Sequence, residues 1–288
     1  MIKKITVTIR NMTARDIPEA MNLKAKEGWN QTARDWELLI ADPKNICIAA
    51  ETGNKIIGTA AAFNYDHYLA WISMVIVDSA FRGLGVGMKM LHHLIKKLSG
   101  CKAIKLDATP AGKKIYEKIG FCGEYKIYRW IHPGINHQDF PNDKIPLFGA
   151  KKKDIPEITA FDRQIFGVNR RKLISYFLNN YPGPALLSKK NHRITGYALG
   201  RPGSNYFQLG PVCALTFPEA KALISQSLEN IRNRPVVIDV PEHQTRLQDW
   251  LESLGFNSQR FFIRMYYKTN PFPGEIHNQF AIGGPEYG

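Results

Sequence analysis

The sequence predicts an α/β protein made of two tandem lobes. Its 288 residues exceed one small domain, and 44% of them are hydrophobic, which suffices for two cores. Two short sequence patterns recur in the same order in the second half of the chain. In the first half, an apolar run, a glycine-rich turn and an amphipathic helix follow one another directly, as expected where a strand leads into a helix.

The recurring patterns indicate a duplicated unit. Asp-Ile-Pro-Glu occurs at Asp16–Glu19 and at Asp154–Glu157, and a Gly-Phe pair that follows an acidic residue ends both Glu117–Phe121 and Glu252–Phe256. Asp with a following Pro, and Glu three positions on, predicts a helix start with the Asp as N-cap. Two matched patterns at similar offsets favour duplication over chance.

The boundary between the lobes is predicted within Ile131–Asp143. This stretch contains Pro133, Gly134, Asn136 and Pro141, which are typical of turns. We therefore predict one domain at residues 1–132 and a second at residues 144–288.

The glycine turn of the first lobe, defined as Arg82–Gly87, has the pattern Arg-x-x-Gly-x-Gly. It follows the apolar run Trp71–Val77 and precedes a helix whose apolar stripe includes Leu91, Leu94 and Leu98. Glycines let backbone N–H groups approach an anion, and the helix N-terminus adds a positive dipole end. The turn therefore predicts a phosphate site, although it lacks the residues of a Walker P-loop or a dinucleotide-binding motif.

Most of residues 5 to 130 resembles the GNAT superfamily of acyl-CoA-dependent N-acyltransferases. The features that carry the resemblance are the strand, the glycine turn and the later Ile115–Phe121. The resemblance implies a central mixed sheet flanked by helices in each lobe, with acetyl-CoA or another acyl-CoA as co-substrate and an amine as acceptor. It implies these cofactor-binding residues: Val75, Ile76 and Val77 for the pantetheine arm; Arg82, Gly83, Leu84, Gly85, Val86 and Gly87 for the pyrophosphate; and Thr109 where relatives commonly have asparagine.

The same resemblance assigns the chemistry. Tyr116 lies four residues before a Gly-Phe pair, where many family members have the tyrosine that protonates the leaving thiolate; a phenol has an ordinary pKa of about 10 and a thiol of about 8.5. Trp71–Val77 contains no acidic residue, so the general base is water, Asp66, His67 or a group from another segment. Asp107, near a strand end, is either a base or a turn cap.

An acceptor-binding loop is expected directly after the first helix, where relatives build one. Trp29 and Asn30 are its candidate contacts. The expected reaction is transfer of an acetyl group to a small-molecule amine.

The second lobe repeats the helices without the glycine turn. Its stretch Gly210–Glu219 lacks the glycine spacing, Glu219 would repel a pyrophosphate, and Leu251 stands where the first lobe has Tyr116. We expect a degenerate GNAT-like lobe that binds no CoA and covers the substrate cleft.

The formal charge of +14 favours anionic ligands such as CoA phosphates, acidic substrates or nucleic acid. The basic runs Lys151–Lys153 and Arg170–Lys172 are short and lack interleaved aromatic residues, so no specific nucleic acid is expected. Two alternatives to the enzyme remain: a noncatalytic acyl-CoA sensor and a basic nucleic-acid-binding protein.

Cysteine spacing and hydropathy argue against a metal-binding, a disulfide-bonded or a membrane-spanning protein. Cys47, Cys101, Cys122 and Cys213 are widely spaced, which predicts neither a zinc site nor a disulfide framework, and we expect no metal. No apolar run reaches the roughly 18 residues of a membrane span. We expect a cytoplasmic protein without a membrane partner, and the oligomeric state is left open.

Overall fold

The computed structural model describes residues 6–135 and 145–288, and within them thirteen strands form one continuous mixed sheet. The predicted α/β class, with a mixed sheet flanked by helices, is confirmed. Most of the predicted boundary, and residue 144 at the start of the second predicted domain, lie outside the described residues.

The first half of the chain contributes six strands and four helices. They are β1 (Thr8–Asn11), α1 (Ile17–Lys26), α2 (Ala33–Ala41), β2 (Ile46–Thr52), β3 (Lys55–Tyr65), β4 (Leu69–Val77), α3 (Val86–Lys97), β5 (Ala103–Ala108), α4 (Pro110–Lys118) and β6 (Phe121–His132).

The second half contributes the remaining elements in a similar order. They are β7 (Leu147–Gly149), α5 (Ile155–Phe166), α6 (Arg171–Asn180), β8 (Leu186–Lys190), β9 (Arg193–Pro202), β10 (Phe207–Ala214), α7 (Phe217–Asn230), β11 (Val236–Pro241), α8 (Thr245–Ser253), β12 (Asn257–Tyr267) and β13 (Gln279–Ala281).

The two halves exchange their last long strands. The strand order is β1-β2-β3-β4-β5-β12-β6-β11-β10-β9-β8-β7, so β12 pairs with β5 of the first half and β6 pairs with β11 of the second. In the centre, β6 and β12 run antiparallel to each other. Within the described residues, the two predicted domains therefore do not form two separate sheets, because a strand from each completes the sheet of the other.

One face of this sheet is common to both halves. A single buried cluster joins α1 and α2 residues such as Leu23 and Trp36 to α5 and α6 residues such as Ile158 and Phe177. The other face carries α3 and α4 over the first half and α7 and α8 over the second, in two separate clusters. We call the shared side the α1/α5 face.

The predicted helix caps are corrected by the structure. The Asp16 carboxylate does not cap α1; it accepts a hydrogen bond from the backbone N–H of Thr13 at 2.7 Å and two from Arg10. Asp154 likewise accepts from the backbone N–H of Lys151, at 2.9 Å. Each Asp thus closes a short 3-10 turn before its helix, and both copies of the repeat share this start.

Within residues 6–135 and 145–288, no helix combines the length and the apolar character needed to cross a membrane.

Candidate active site

The glycine turn presents a row of unpartnered backbone donors. Gly83 and Gly85 have positive φ angles of 79° and 78°, and the space beside both is open. The N–H groups of residues 83–87 donate to no acceptor among the residues that the structure describes. Since α3 begins at Val86, directly after the turn, its dipole end adds to these donors. The turn can hold an anion.

A slot opens next to the glycine turn because β4 and β5 diverge. These parallel strands pair only from Leu69 with Ala103 to Ile72 with Leu106, although both continue beyond this point. A bulge at Met74, where φ is 55°, shifts the register between β3 and β4. The unpaired edge of β4 beyond Ile72 leaves room for an extended ligand arm beside Val75, Ile76 and Val77.

Arg82 is held away from the open turn. Its guanidinium forms an ion pair with Glu27 at the end of α1 and donates to the Val77 carbonyl at 3.0 Å. Both side chains of the ion pair are partly exposed. A pyrophosphate would compete with Glu27 for the Arg82 guanidinium. The sequence pattern did not predict this acidic neighbour.

Tyr116 lies on α4, and its hydroxyl makes no hydrogen bond within the described part of the chain. The ring meets Phe121 edge-on at 5.8 Å between centroids. A Cβ added to Gly112, one turn earlier, would lie 3.1 Å from the ring, so the glycine makes room for it. Burial raises the pKa of Tyr116 above its ordinary value, which keeps the phenol protonated at neutral pH.

Thr109 caps α4 at the end of β5. Its Oγ1 accepts a hydrogen bond from the backbone N–H of Gly112 at 3.2 Å. Because β4 and β5 are parallel neighbours, Thr109 and the glycine turn lie at the same edge of the sheet. The Thr109 hydroxyl hydrogen stays available to a ligand.

The predicted acceptor loop is clamped by the second half of the chain. Asn30 is 3% exposed, and its Oδ1 accepts from the backbone N–H groups of Asn205 and Tyr206 at 3.1 and 2.9 Å. Trp29 packs on the shared core with part of its surface exposed, and its carbonyl accepts from Lys24. Asn30 holds the loop in place, and Trp29 is the more accessible of the two.

Asp66 and His67 are not brought to the slot. They form the turn of the β3–β4 hairpin, at the start of β4, whereas the glycine turn follows its end. The nine residues of β4 span about 26 Å at roughly 3.3 Å per residue. Asp66 pairs with Lys44 in an exposed ion pair of 2.7 Å. The geometry therefore does not support a catalytic role for either residue.

Asp107 is tied to a strand from the second half. Arg264 of β12 donates to both of its carboxylate oxygens, at 3.0 and 3.1 Å, and the Asp107 side chain is fully buried. Arg264 also donates to the Tyr125 hydroxyl at 2.8 Å. The sequence leaves Asp107 as either a base or a turn cap. The ion pair with Arg264 is neither of these, and it joins β5 to β12.

In the second half, the corresponding slot is filled. β10 and β11 pair only at Phe207 and Gln208, and β10 then pairs with β13 through Val212 and Cys213. The Ile282 N–H donates to the Asp239 carbonyl of β11 at 3.0 Å. β13 therefore occupies the gap between the two strands, a feature that the sequence pattern did not predict.

The turn before α7 also differs from the glycine turn. Only two residues separate β10 from α7, and the Thr216 hydroxyl caps the helix by accepting from the Glu219 N–H. Glu219 lies in the first turn, where its charge opposes an anion.

The chain beyond β13 crosses to the first half on the α1/α5 face. The Trp71 Nε1–H donates to the Pro285 carbonyl at 2.9 Å, and the Tyr65 hydroxyl donates to the Tyr287 carbonyl at 2.7 Å. The Tyr287 hydroxyl in turn donates to Asp35 of α2 at 2.9 Å. This 279–288 segment covers part of β3 and the paired part of β4, so both halves cover this face of the sheet.

A glycine turn with free N–H donors, beside a slot between diverging parallel strands, is the donor-site arrangement expected of an acyl-CoA-dependent N-acyltransferase. Comparisons with known families agree. Residues 12–121 match the model of the acetyltransferase (GNAT) family, and residues 158–281 match that of an acetyltransferase (GNAT) domain. The chain belongs to the GNAT superfamily and has the two-lobed, tandem form.

Individual relatives support the same assignment. The chain is 28% identical over 194 residues to the uncharacterized N-acetyltransferase YitH of Bacillus subtilis (strain 168), a match that covers 66% of each protein. In fold it resembles a proposed acetyltransferase from Pyrococcus horikoshii, with a TM-score of 0.79, 18% identity and coverage of 98% of this chain and 96% of the other. It also resembles a tandem GNAT protein from the clavulanic acid biosynthesis pathway, with a TM-score of 0.64, 11% identity and coverage of 92% and 99%. The family uses acetyl-CoA, and the family models and relatives indicate N-acetyltransferase activity.

Proposed function

We propose that the first half of the chain binds acetyl-CoA and transfers its acetyl group to an amine on a small molecule. The observation that carries this proposal is the contrast between the two halves. The slot beside β4 is open and adjoins unpartnered N–H donors, whereas its counterpart beside β10 is filled by β13.

The residues at the slot fit the co-substrate. The N–H groups of Gly83 to Gly87 would hold the pyrophosphate, and Arg82 would add its charge after leaving Glu27. The free edge of β4 at Val75, Ile76 and Val77 would hold the pantetheine arm, and Thr109 would donate to it from β5. Residues 145–288 show no comparable site, so we propose that the second half binds no CoA and instead positions the acceptor loop through Asn30.

In the proposed reaction the neutral amine attacks the thioester carbonyl, the new N–C bond forms and the C–S bond breaks. Tyr116 donates its hydroxyl proton to the departing sulfur, and the amine gives up a proton to water. Two features support this role: the phenol has no competing hydrogen-bond partner in the described structure, and burial keeps it protonated. The Tyr116 ring also lies near Thr109, because a Cβ built on Gly112 would be 3.1 Å from the ring and 3.4 Å from the Thr109 Oγ1.

Acetyl-CoA binding tests the donor site. Titration calorimetry should show binding by the wild-type protein and strongly reduced binding by Gly85→Ala, since an added Cβ strains the turn that aims the N–H groups. Gly53→Ala is the matched control, because Gly53 also has a positive φ of 58° and open space beside it, but lies in the β2–β3 hairpin. If the wild type does not bind acetyl-CoA, or if both variants bind equally well, the donor site is wrong.

Thiol release with a panel of amines tests the chemistry. Tyr116→Phe should lower kcat by roughly 10²- to 10⁴-fold, the usual range for losing a general acid, and should leave acetyl-CoA affinity nearly unchanged. Tyr128→Phe is the control, since Tyr128 is also half-buried and its hydroxyl makes no hydrogen bond among the described residues. An unchanged rate in Tyr116→Phe would remove the general-acid assignment.

A noncatalytic acyl-CoA sensor is the second candidate, and one observation favours it. Asp107, the acidic residue of β5 nearest the slot, is fully engaged by Arg264 and so is not free to act as a base. A sensor would bind acetyl-CoA and release no thiol with any amine of the panel.

A further inference from the structure

Arg260 is a cation without a counter-ion near the centre of the sheet. It lies on β12, is partly exposed, and has neither an ion pair nor a hydrogen bond among the described residues. Its Nε–H is buried without an acceptor. Burial and the neighbouring Arg129 lower the pKa of Arg260 from its ordinary value, but a guanidinium stays charged at neutral pH. A charge that gives up water without gaining a partner costs free energy, so a bound anion would be stabilised here.

Asp239, the carboxylate that acts on Arg260, is already paired with another arginine. Arg129 lies opposite Arg260 in the pairing of β6 with β12, and its Nε and Nη2 donate to the two Asp239 oxygens at 2.7 Å each. The Gln208 amide donates to the same carboxylate at 3.1 Å. Both side chains of this ion pair are buried. One carboxylate thus serves two guanidinium groups, and a positive charge remains at Arg260.

An aromatic ring and a hydroxyl lie beside this charge. The guanidinium carbons of Arg129 and Arg260 lie 5.0 and 5.6 Å from the centroid of the Phe262 ring. Tyr206, next to the hairpin that clamps Asn30, is close enough to interact with Arg260 electrostatically. Contact with a ring helps to hold a guanidinium in place, and its planar fork matches a carboxylate or phosphate. The arrangement is suited to an oxyanion.

Arg260 lies level with the open slot, two strands away. Ile72 of β4 pairs with Leu106 of β5, which pairs with Met265 of β12. Since β12 is antiparallel to β5, the five residues from Met265 back to Arg260 lead in the same direction as the five from Ile72 to Val77. Two strand spacings of about 4.8 Å place Arg260 roughly 10 Å from β4 across the sheet.

The Arg260 side chain lies on the α1/α5 face. Arg264 lies over the ring of Trp71, a member of the buried cluster of this face, at 4.6 Å. Alternation along β12 places Phe262 and Arg260 on the same side as Arg264. The glycine turn leads into α3, which packs on the opposite face. Arg260 is therefore separate from the proposed pyrophosphate site.

We propose that Arg260 is the cation of an oxyanion-binding site, which takes the carboxylate or phosphate group of a small molecule. The terminal nitrogens of Arg260 and the Tyr206 hydroxyl would donate hydrogen bonds to it. Two sources have this chemistry: an acidic group on the acceptor, and a free anion that binds level with the slot. The binding of a free anion does not require the proposed acetyl transfer.

Thermal melts with inorganic phosphate at constant ionic strength test the site. The comparison is between wild type, Arg260→Gln and Arg246→Gln. Arg246 is a matched control because it is exposed on α8, lies 4.5 Å from the Phe217 centroid and has no ion pair in the described part of the chain. Phosphate should raise the melting temperature less in Arg260→Gln than in the other two proteins. Phosphate bound at the glycine turn would stabilise all three alike, so only the difference counts.

Thiol-release kinetics identify the source of the oxyanion. The substrates are an acidic amine that the wild type acetylates and its neutral amide. If the acceptor carries the oxyanion, the wild type prefers the acidic amine, and this preference falls roughly 10- to 100-fold in Arg260→Gln, as for lost hydrogen bonds to a charged group. The Kd for acetyl-CoA should not change, and Arg260→Lys should keep part of the preference. If phosphate stabilisation depends on Arg260 but the two amines react equally well, the ligand is a free anion.

Two results would overturn the inference. The first is equal stabilisation by phosphate in wild type and Arg260→Gln, combined with an unchanged preference between the two amines. The second is a melting temperature several degrees lower for Arg260→Gln in phosphate-free buffer, since removing a cation that faces Arg129 without a counter-ion should cost little stability. A wild type that acetylates no amine would refute the proposed function, and the phosphate melts would still decide this inference.

Discussion

The ion pair between Asp107 and Arg264 gives a direct test of how the halves depend on each other. The two residues lie opposite each other on β5 and β12, one from each half of the chain. Asp107→Asn keeps the size of the side chain but removes its charge and one acceptor oxygen. Arg264 would then face an amide N–H₂ group at a fully buried position.

The expected loss of stability follows from the burial of the pair. Arg264 is about 4% exposed and Asp107 is not exposed, so bulk water has little access to replace the lost contact. Removing one partner of a buried pair typically costs about 3–5 kcal/mol because it leaves an uncompensated charge. For a chain of this size, that corresponds to a fall in melting temperature on the order of 10 °C.

Urea unfolding and thermal melts measure this loss, with Asp249→Asn as the control. Asp249 is exposed on α8, and its replacement should change the free energy of unfolding by less than about 0.5 kcal/mol. Wild type and Asp107→Asn should each unfold in one transition, since the halves share one sheet. A variant as stable as the wild type, or two separate transitions in the wild type, would refute this reasoning.

Three further outcomes follow from the structure. Calorimetry should give one acetyl-CoA per chain, because β13 fills the second slot; two sites would contradict that reading. Hydrogen bonds from Arg10 lower the pKa of Asp16 to about 2, so its contribution to stability is complete above about pH 4 and disappears as the pH falls toward 2. Acid unfolding of Asp16→Asn should therefore depend less on pH in that window, and an unchanged dependence would exclude this contribution. A maleimide should label exposed Cys122 first, since burial raises the pKa of Cys47 to about 12; rapid labelling that persists in Cys122→Ser would contradict this.

The parts of the molecule set by local patterns could be predicted from the sequence. The run Trp71–Val77 lies in β4, and the helix stripe with Leu91 and Leu94 lies in α3. The glycines of the turn adopt positive φ at Gly83 and Gly85, as a turn that exposes its N–H groups requires. These features depend on residues that are neighbours along the chain, so they can be predicted from a single sequence.

The remaining features depend on contacts between distant residues. The exchange of β6 and β12 places Arg264 beside Asp107, 157 positions away, and nothing in either strand specifies which sheet it joins. Asp66 and His67 are candidate bases by sequence because they directly precede the acid-free strand, but β4 separates them from the glycine turn by its full length. β13 has only three residues, too few for a periodic pattern.

The 279–288 segment explains why the second half has no open slot of the kind seen in the first half. Each slot exists because two parallel strands diverge, which leaves backbone donors and acceptors unpaired unless something fills the gap. In the second half, β13 meets this need from within the chain, and the same segment continues onto β3 and β4 of the first half. The filled slot thus anchors one end of a segment whose other end packs on β3 and β4 of the first half. Under the proposed function, the second lobe would therefore shape the acceptor side of the first without binding a cofactor of its own.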